Sequence, residues 1–371
     1  MSGPQGLRAD VASLAEALAE PQLAACADAW AGSDPTRSAK WIAAWHECFA
    51  DPTRDPCLVV RTAAGEPAGL LPLVRRRLGP GGLVRALWTG ANGQSQRAAF
   101  LCPGGAEAAT AEACVDAMAA MPGWDFARLQ GLSAAAADAF LDAAAKVRMT
   151  AAVEHRFEHA FVRTDGPVEA YEAARSRDTV RRKERLARAL AREGAVTMRM
   201  IDAPPATVAE ALEAHMAAEK TSWKASGGEL LTARAEIAAF YRTLARRFGA
   251  EGAFVLAQMR IDGRLVAGII GLRGGGGLVG LKIFHDSAFD RFSPGWLMMR
   301  HWVRFGFSDP AVRRLDFYTP PSRARHFAEG AEPHADLTLW RPGLRGAAIR
   351  LARDATRMLR GRRGAESGRA A

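Results

Sequence analysis

No apolar run in the sequence approaches the roughly 20 residues that a helix needs to cross a bilayer. Cysteine is scarce, with five residues and no C-x-x-C pair, which argues against both a disulfide framework and a zinc site. Residues 1–20 lack the basic start and apolar core of a secretory signal, since their Ala-rich stretch contains Glu16. We therefore expect a cytoplasmic protein with no transmembrane segment and no metal.

The formal net charge of +10 is concentrated in residues 175–192 and 344–371, each with eight Arg or Lys against two acidic residues. The rest of the chain is slightly acidic, so a broad surface for nucleic acid is not expected. The C-terminal segment has two interpretations: a solvated basic tail, or an amphipathic helix in weak contact with an anionic membrane.

One series of elements occurs twice along the chain, first from Leu58 to Leu129 and again from Phe254 to Tyr318. Each series reads as a hairpin, a Gly-rich turn with a strand, a helix-like run, and a strand with an Asp-aromatic pair. The turn Asp262-Gly263 is a strong hairpin signal. With 371 residues, the chain is long enough for two domains of common size. We predict two similar α/β halves.

A helix is predicted to start at Ser293-Pro294-Gly295, just before an apolar run that opens with Trp296. Ser293 suits the N-cap, Pro294 needs no amide hydrogen there, and Gly295 allows close approach of a ligand. First-turn amides attract anions, and Arg291 lies just upstream to pair with a phosphate. Arg291, Ser293, Pro294, Gly295 and Trp296 are therefore the candidate cofactor-binding residues. An ordinary capped helix has the same pattern, so both interpretations stay open.

Two further segments offer candidate substrate residues. Arg181 and Arg185 belong to a basic stripe on a predicted helix, which faces an anionic ligand or is simply the solvated side of that helix. A later helix ends near Trp223 and Lys224, which are candidates to line an acceptor pocket.

Several of these motifs together resemble a known family. They are the early Trp-rich helix at 41–45 with its Pro-Leu strand pair at 71–77, the basic helix at 176–186, Ser222-Trp223-Lys224 with a Gly-rich loop, and Ser293-Pro294-Gly295. Over residues 20–340 the chain resembles the double-GNAT acetyltransferases of the CelD-like family (cellulose-biosynthesis-associated, with a BioF2-like acetyltransferase domain). That family is related in architecture to the FemAB-like transferases.

The resemblance implies an α/β (α+β) fold with two tandem GNAT-like domains, each a mixed, mostly antiparallel sheet flanked by helices. We expect an N-terminal tail at 1–20 and a structural or acceptor-binding half at 21–160. A GNAT acyltransferase domain would follow at 161–342, with a basic tail at 343–371.

The resemblance also implies an acyl-CoA-dependent N- or O-acyltransferase, with acetyl-CoA or another acyl-CoA as co-substrate. The acceptor would be a cell-envelope or polysaccharide-related precursor, or a small amine or alcohol, attacked directly without an acyl-enzyme. A GNAT core should splay beside the strand at 281–286 to admit the pantetheine. His285 is the first candidate base, Asp316 the second, and Tyr318 a candidate acid.

The chain departs from the family pattern after Asp316-Phe317-Tyr318, where the usual lysine is missing. Arg325 or Arg323 is a candidate to replace its charge, with Arg325 the candidate substrate residue, although arginine and lysine differ in donor geometry. Two alternatives therefore remain: a degenerate, non-catalytic module that binds polyanions, and a FemAB-like transferase that uses aminoacyl-tRNA.

Overall fold

A computed structural model describes residues 6–97, 99–227 and 230–367 of the chain. Its strands, in chain order, are β1 (Arg8–Ser13), β2 (Pro56–Arg61), β3 (Pro67–Leu78), β4 (Val84–Thr89), β5 (Phe126–Ser133), β6 (Thr150–Arg163), β7 (Val196–Ile201), β8 (Phe254–Ile261), β9 (Arg264–Gly274), β10 (Gly277–His285), β11 (Arg314–Asp316) and β12 (Gly330–Trp340). They form one sheet in the order β1-β2-β3-β4-β5-β12-β6-β11-β10-β9-β8-β7.

Helices cover both faces of this sheet. They are α1 (Leu14–Ala19), α2 (Pro21–Ala31), α3 (Ala39–Phe49), α4 (Glu107–Ala120), α5 (Ala134–Lys146), α6 (Val168–Ala173), α7 (Arg177–Leu190), α8 (Pro205–Ala218), α9 (Lys224–Gly227), α10 (Ala235–Gly249), α11 (Pro294–Ser308), α12 (Pro321–Ala324) and α13 (Leu344–Ser367). Helices α1–α3, α8 and α10 pack on what we call the front face; α4, α5 and α11 pack on the back face.

The two predicted halves are present, each with the same order of elements. In the first half the β2–β3 hairpin leads to β4, α4 and β5; in the second, the β8–β9 hairpin leads to β10, α11 and β11. In both halves the pair across the helical crossover is parallel, β4 with β5 and β10 with β11. The other strand pairs are antiparallel, which confirms the predicted mixed sheet.

The halves exchange strands at the centre of the sheet. β6 follows the first half in sequence but pairs with β11 of the second, while β12, late in the chain, pairs with β5 of the first half. β6 and β12 also pair with each other along most of their lengths. The expected boundary at residue 160 therefore falls inside β6, and the sheet has no gap between the halves.

Both segments assigned to tails contain structured elements. Within residues 1–20, β1 pairs with β2 and is followed by α1. The start of α13 is also docked, since Arg345 donates to Asp125 at 2.6 Å and Arg353 donates to the Thr338 hydroxyl at 3.1 Å. Part of the C-terminal basic charge is thus used inside the fold.

A buried arginine joins the halves on the front face. Arg97, on the loop after β4, donates to Asp34 at 2.8 Å and to Asp316 of β11 at 2.6 Å. Its Nε also donates to His159 of β6 at 3.1 Å. The arginine side chain is only 5% exposed. A single guanidinium therefore neutralises carboxylates from both halves.

The loop between α2 and α3 lies against the turn between β9 and β10. A Cβ atom on Gly277 would lie 1.8 Å from the backbone oxygen of Ser33. One on Gly275 would lie equally close to the backbone oxygen of Gly32. The two backbones are close enough that only glycine fits at either position of the turn.

We predict that Gly277→Ala lowers the free energy of unfolding by about 1–3 kcal/mol, the usual cost of overpacking. The added methyl meets backbone, which moves less readily than a side chain. Urea denaturation measures the effect. Gly104→Ala is the matched control, because a Cβ at Gly104 meets nothing within 4 Å. Equal stability of both variants would contradict the close approach.

We predict that Arg97→Ala costs about 3–5 kcal/mol at neutral pH, because it leaves buried carboxylates without a counter-charge. Burial alone would raise the pKa of Asp34, but Arg97, Arg37 and hydrogen bonds lower it to about 2. The lowered pKa stabilises the fold at pH values above about 4, the pKa of Asp in the unfolded chain. This stabilisation is lost as the pH falls towards the folded pKa of Asp34.

The wild-type advantage over Arg97→Ala should therefore shrink as the pH falls from 7 towards 3.5, as followed by urea denaturation. Arg8→Ala, in an exposed pair with Asp10, serves as the control and should change stability little. A difference that stays constant over this pH range would contradict the account.

Candidate functional site

The start of α11 lies at the end of β10, after a short 3₁₀ turn over residues 287–292. Ser293 occupies the N-cap position, as predicted, but its backbone is left-handed and its side chain does not cap the helix. Instead its hydroxyl accepts a hydrogen bond from Lys183 at 2.7 Å. Pro294 is the first helical residue. In the first turn, Pro294 has no amide hydrogen, and the amides of Trp296 and Leu297 donate to the Ser293 carbonyl at 3.1 and 3.3 Å. The Gly295 amide remains to face a ligand.

His285, the last residue of β10, lies beside this helix start. Its Nε2 is 2.8 Å from an Asp290 carboxylate oxygen. Its Nδ1 would lie 3.0 Å from a Cβ on Gly295, so the ring covers the glycine. Asp290 thus orients the ring so that Nδ1 faces the first turn of α11.

A cavity of about 210 Å³ lies on the other side of the helix start. Its walls include Trp296 and Arg300 of α11, Arg175 before α7, and Arg325 and His326 after α12. The structure thus brings together Trp296 and Arg325, which the sequence assigned to the cofactor and to the substrate respectively. Arg300 is occupied, because it pairs with Glu172 at 2.8 Å.

Helix α7 packs over the 3₁₀ turn and α11, but the predicted arginine stripe faces away from them. Arg181 and Arg185 are exposed, whereas Lys183 is partly buried and faces Ser293. Burial, with Arg182 nearby, lowers the pKa of Lys183. Lys183 was missed although the spacing Val180, Lys183, Ala187 places it on the apolar face of the helix.

Arg291 does not face the helix start. Its guanidinium pairs with Glu193 at 3.1 Å and lies over the Phe292 ring at 4.5 Å. The side chain is two-thirds exposed. The expected pairing of Arg291 with a phosphate would require this surface pair to open.

β10 and β11 separate as predicted. Their ladder ends at the pair Val279 and Asp316, and β10 continues beyond it as far as His285. A bulge follows in the pairing of β10 with β9, where Leu281 has no partner. The sheet therefore opens between the two strands from Val279 onward. We call this opening the splay and the pair Val279–Asp316 its apex.

Asp316 and Tyr318 lie at the apex, and both are buried. The Asp316 carboxylate accepts from Arg97 and, at 2.7 Å, from the Tyr318 amide, so it is already bonded on both oxygens. The Tyr318 hydroxyl accepts from the Gln96 amide at 2.7 Å. Burial raises the pKa of Tyr318 to about 12, so the phenol is protonated at neutral pH.

A second cavity, of about 140 Å³, lies on the front face next to the apex. We call it the central cavity. Asp316, Arg97 and His334 of β12 line it, with Arg37 and the ion pair between Arg314 and Glu332. Apart from Asp316, the residues of this site were not predicted, because they come from distant segments of both halves.

Trp223 and Lys224 lie apart from both cavities. Lys224 is buried and donates to Glu219 at 2.8 Å, and the other oxygen of Glu219 accepts from the Leu231 amide. Trp223 is half-exposed. Of the two expected acceptor residues, only Trp223 is thus open to a ligand.

The candidate residues form two groups along the splay. Ser293, Pro294, Gly295 and His285 lie at its outer end, and Asp316 lies at the apex. Since His285 lies six positions beyond Val279 on β10 and a strand rises about 3.3 Å per residue, the groups are about 20 Å apart. His285 and Asp316 therefore cannot act on the same atom.

Two general features complete the description of the site. No helix among residues 6–97, 99–227 and 230–367 is both long enough and apolar enough to cross a membrane. Within the same ranges, no group of three His, Cys, Asp or Glu side chains is placed to hold a metal ion.

Comparisons with solved structures agree with this architecture. FemX is 11% identical, with a TM-score of 0.61, covering 88% of this chain and 96% of FemX. A conserved protein of unknown function from Bacteroides thetaiotaomicron VPI-5482 is 9% identical, with a TM-score of 0.53 and coverages of 86% and 95%. A tandem GNAT protein from the clavulanic acid biosynthesis pathway is 13% identical, with a TM-score of 0.47 and coverages of 91% and 99%. At such identities the likeness concerns the fold alone.

Sequence comparison adds information about the second half. No curated protein matches the chain. Residues 174–333, which run from before α7 into β12, match the family model described as Acetyltransferase (GNAT) domain. The narrower resemblance to the CelD-like family stays a prediction. The second half of the chain is therefore similar to a GNAT acetyltransferase domain, within a fold built from two similar α/β halves.

Proposed function

We propose that the chain is an acyltransferase that moves an acyl group, acetyl in the simplest case, from CoA to an amine or hydroxyl. The observation that carries this proposal is the start of α11, where the Gly295 amide and the positive end of the helix lie beside the splay. A helix start attracts phosphates through its partial positive charge and through such an amide. The diphosphate of CoA would bind there.

Side-chain charge at the helix start supports the same assignment. Lys183 donates a hydrogen bond to Ser293. Burial lowers the pKa of His326, and the nearby cations Arg325, Lys183 and Arg182 lower it further. None of these three cations has a carboxylate partner among the described residues. An anion at this point would supply the missing negative charge.

The described part of the first half offers no equivalent. Helix α4 begins after Ala106 without a side-chain cap, and Glu107 lies in its first turn. A carboxylate there competes with a phosphate for the same amides. We therefore assign CoA to the second half and a structural or acceptor-binding role to the first.

The splay would receive the pantetheine arm and lead the thioester towards the apex. Leu281, unpaired at the bulge, leaves its amide outside the β9–β10 ladder, where it can donate to the oxyanion of the transition state. The protonated Tyr318 lies at the apex as the candidate acid for the departing thiolate. Asp316, bonded on both oxygens, would position Tyr318 rather than take a proton.

We assign His285 to the phosphate end of the cofactor, since it lies over Gly295 and about 20 Å from the apex. Asp290 fixes its orientation. The exposed Arg181 and Arg185 remain candidates for an anionic acceptor, and they are also the feature on which the polyanion-binding and tRNA-dependent alternatives depend. The nature of the acceptor as an envelope or polysaccharide precursor rests on the family resemblance.

Calorimetric titration of CoA tests the cofactor site. We expect Lys183→Gln to weaken binding tenfold or more, because a charge-assisted hydrogen bond contributes about 1.5–3 kcal/mol. Lys146→Gln, in an exposed pair of the first half, is the matched control and should bind as the wild type does. Absence of CoA binding to the wild type would reject the proposal and favour the polyanion or tRNA alternatives.

The role of His285 is tested with two acyl donors. We expect His285→Gln to raise the KM for acetyl-CoA several-fold with little change in kcat. Its kinetics with S-acetylpantetheine, which lacks the diphosphate, should not change. If His285 were the base, kcat would instead fall with both donors by about 10²–10⁴.

A further inference from the structure

The central cavity contains buried hydrogen-bonding groups without partners. His334 is 5% exposed, and neither of its ring nitrogens has a hydrogen-bond partner among the described residues. Burial and the nearby Arg97 hold its pKa well below the ordinary value, so the ring is neutral at pH 7, with one donor and one acceptor. The Nε of Arg37 is also buried and unpaired. Such groups cost free energy unless a ligand or water satisfies them.

The other charges of the cavity are already matched. Arg97 is held between Asp34 and Asp316, and Arg314 pairs with Glu332 at 2.5 Å. Arg37 donates to the Phe100 carbonyl but pairs with no carboxylate among the described residues. The charges of the lining balance, with Arg37, Arg97 and Arg314 against Asp34, Asp316 and Glu332. The unused hydrogen-bonding groups are therefore the Arg37 Nε–H, one imidazole donor and one imidazole acceptor. A carboxylate satisfies the first two, and an amine or hydroxyl satisfies the third.

The position of the cavity connects it to the proposed chemistry. Asp316 lines the cavity and also forms the apex of the splay with Val279. A group held in the cavity thus lies next to the point that a thioester in the splay would reach. The volume of about 140 Å³ is close to that of a protein cavity that holds benzene, so it accepts about six non-hydrogen atoms.

We propose that the central cavity is the acceptor site and that it takes a small amino or hydroxy acid, with its carboxylate against Arg37 and His334. This inference rests on the proposed acyl transfer. The acceptor nitrogen or oxygen would bond to the thioester carbonyl carbon, the carbon–sulfur bond would break, and the proton lost by the acceptor would end on the CoA thiol.

The test is a titration of the full-length protein with glycine and glycolate, followed by the histidine ring signals in ¹H–¹⁵N spectra. Ethanolamine, which has the amine and hydroxyl but no carboxylate, is the comparison probe. We expect saturable shifts of the His334 signals with glycine and glycolate and none with ethanolamine. Equal shifts with all three probes, or none with any, would overturn the proposal.

Variants locate the binding. Arg37→Gln and His334→Phe should weaken glycolate binding at least tenfold. The melting temperature of each variant is compared with that of the wild type to show that the variant is folded. The His334 variant is read from the backbone amides that glycolate shifts in the wild type. His155→Phe and Arg54→Gln, which change the same residue types outside the cavity, should have no effect. Arg37→Lys is the substitute if Arg37→Gln fails to fold. Unchanged binding in both cavity variants would mean that glycolate binds as an adventitious additive only, outside the cavity, and would reject the site.

A CoA titration of the same samples separates the two proposals. Binding of CoA without any carboxylate binding would reject the acceptor assignment and leave the proposed acyl transfer in place. Binding of glycolate without CoA would support the cavity as a carboxylate site but reject its role as an acceptor site.

Discussion

The ion pairs of Arg97 are the interaction on which the junction of the two halves depends. A buried guanidinium is stable only when its charge is matched, and here the matching carboxylates come from opposite halves. The same contact places Asp316, and through its carboxylate the Tyr318 amide, at the apex of the splay. The geometry of the second half is thus set partly by a loop of the first. A GNAT-like half without this loop would keep the strands but lose the arginine that fixes the end of β11.

The splay separates two kinds of chemistry. At its outer end the positive helix start, Lys183 and His285 suit a phosphate, which needs charge and amide donors. At the apex, charged and polar side chains are buried away from water, where a hydrogen bond to developing charge is stronger than in water. This division explains why the two predicted candidate bases, His285 and Asp316, do not act together. His285 is close to Gly295 in space, whereas Asp316 lies at the apex.

The sequence predicted the parts of the fold that local patterns encode. The Asp262-Gly263 turn, the alternating strands and the start of α11 are all present, because turn chemistry, strand period and capping act over a few residues. The strand exchange was not predicted, since β5 and β12 pair across some 200 residues. Arg97 was missed for the same reason: its partners lie 63 and 219 positions away. Lys183 could have been predicted from its spacing with Val180 and Ala187, but the prediction considered only the arginines of this helix.

The exchange of β6 and β12 has a consequence for how the chain is made. β5 emerges from the ribosome with one edge open, and the strand that closes it begins at residue 330. At ordinary rates of synthesis that interval lasts on the order of ten seconds or more. During this time the first half presents an unpaired strand edge, a surface on which other chains can pair. Folding of the first half is therefore completed only at the end of synthesis, and a chaperone that protects the edge of β5 would act on the newly made chain.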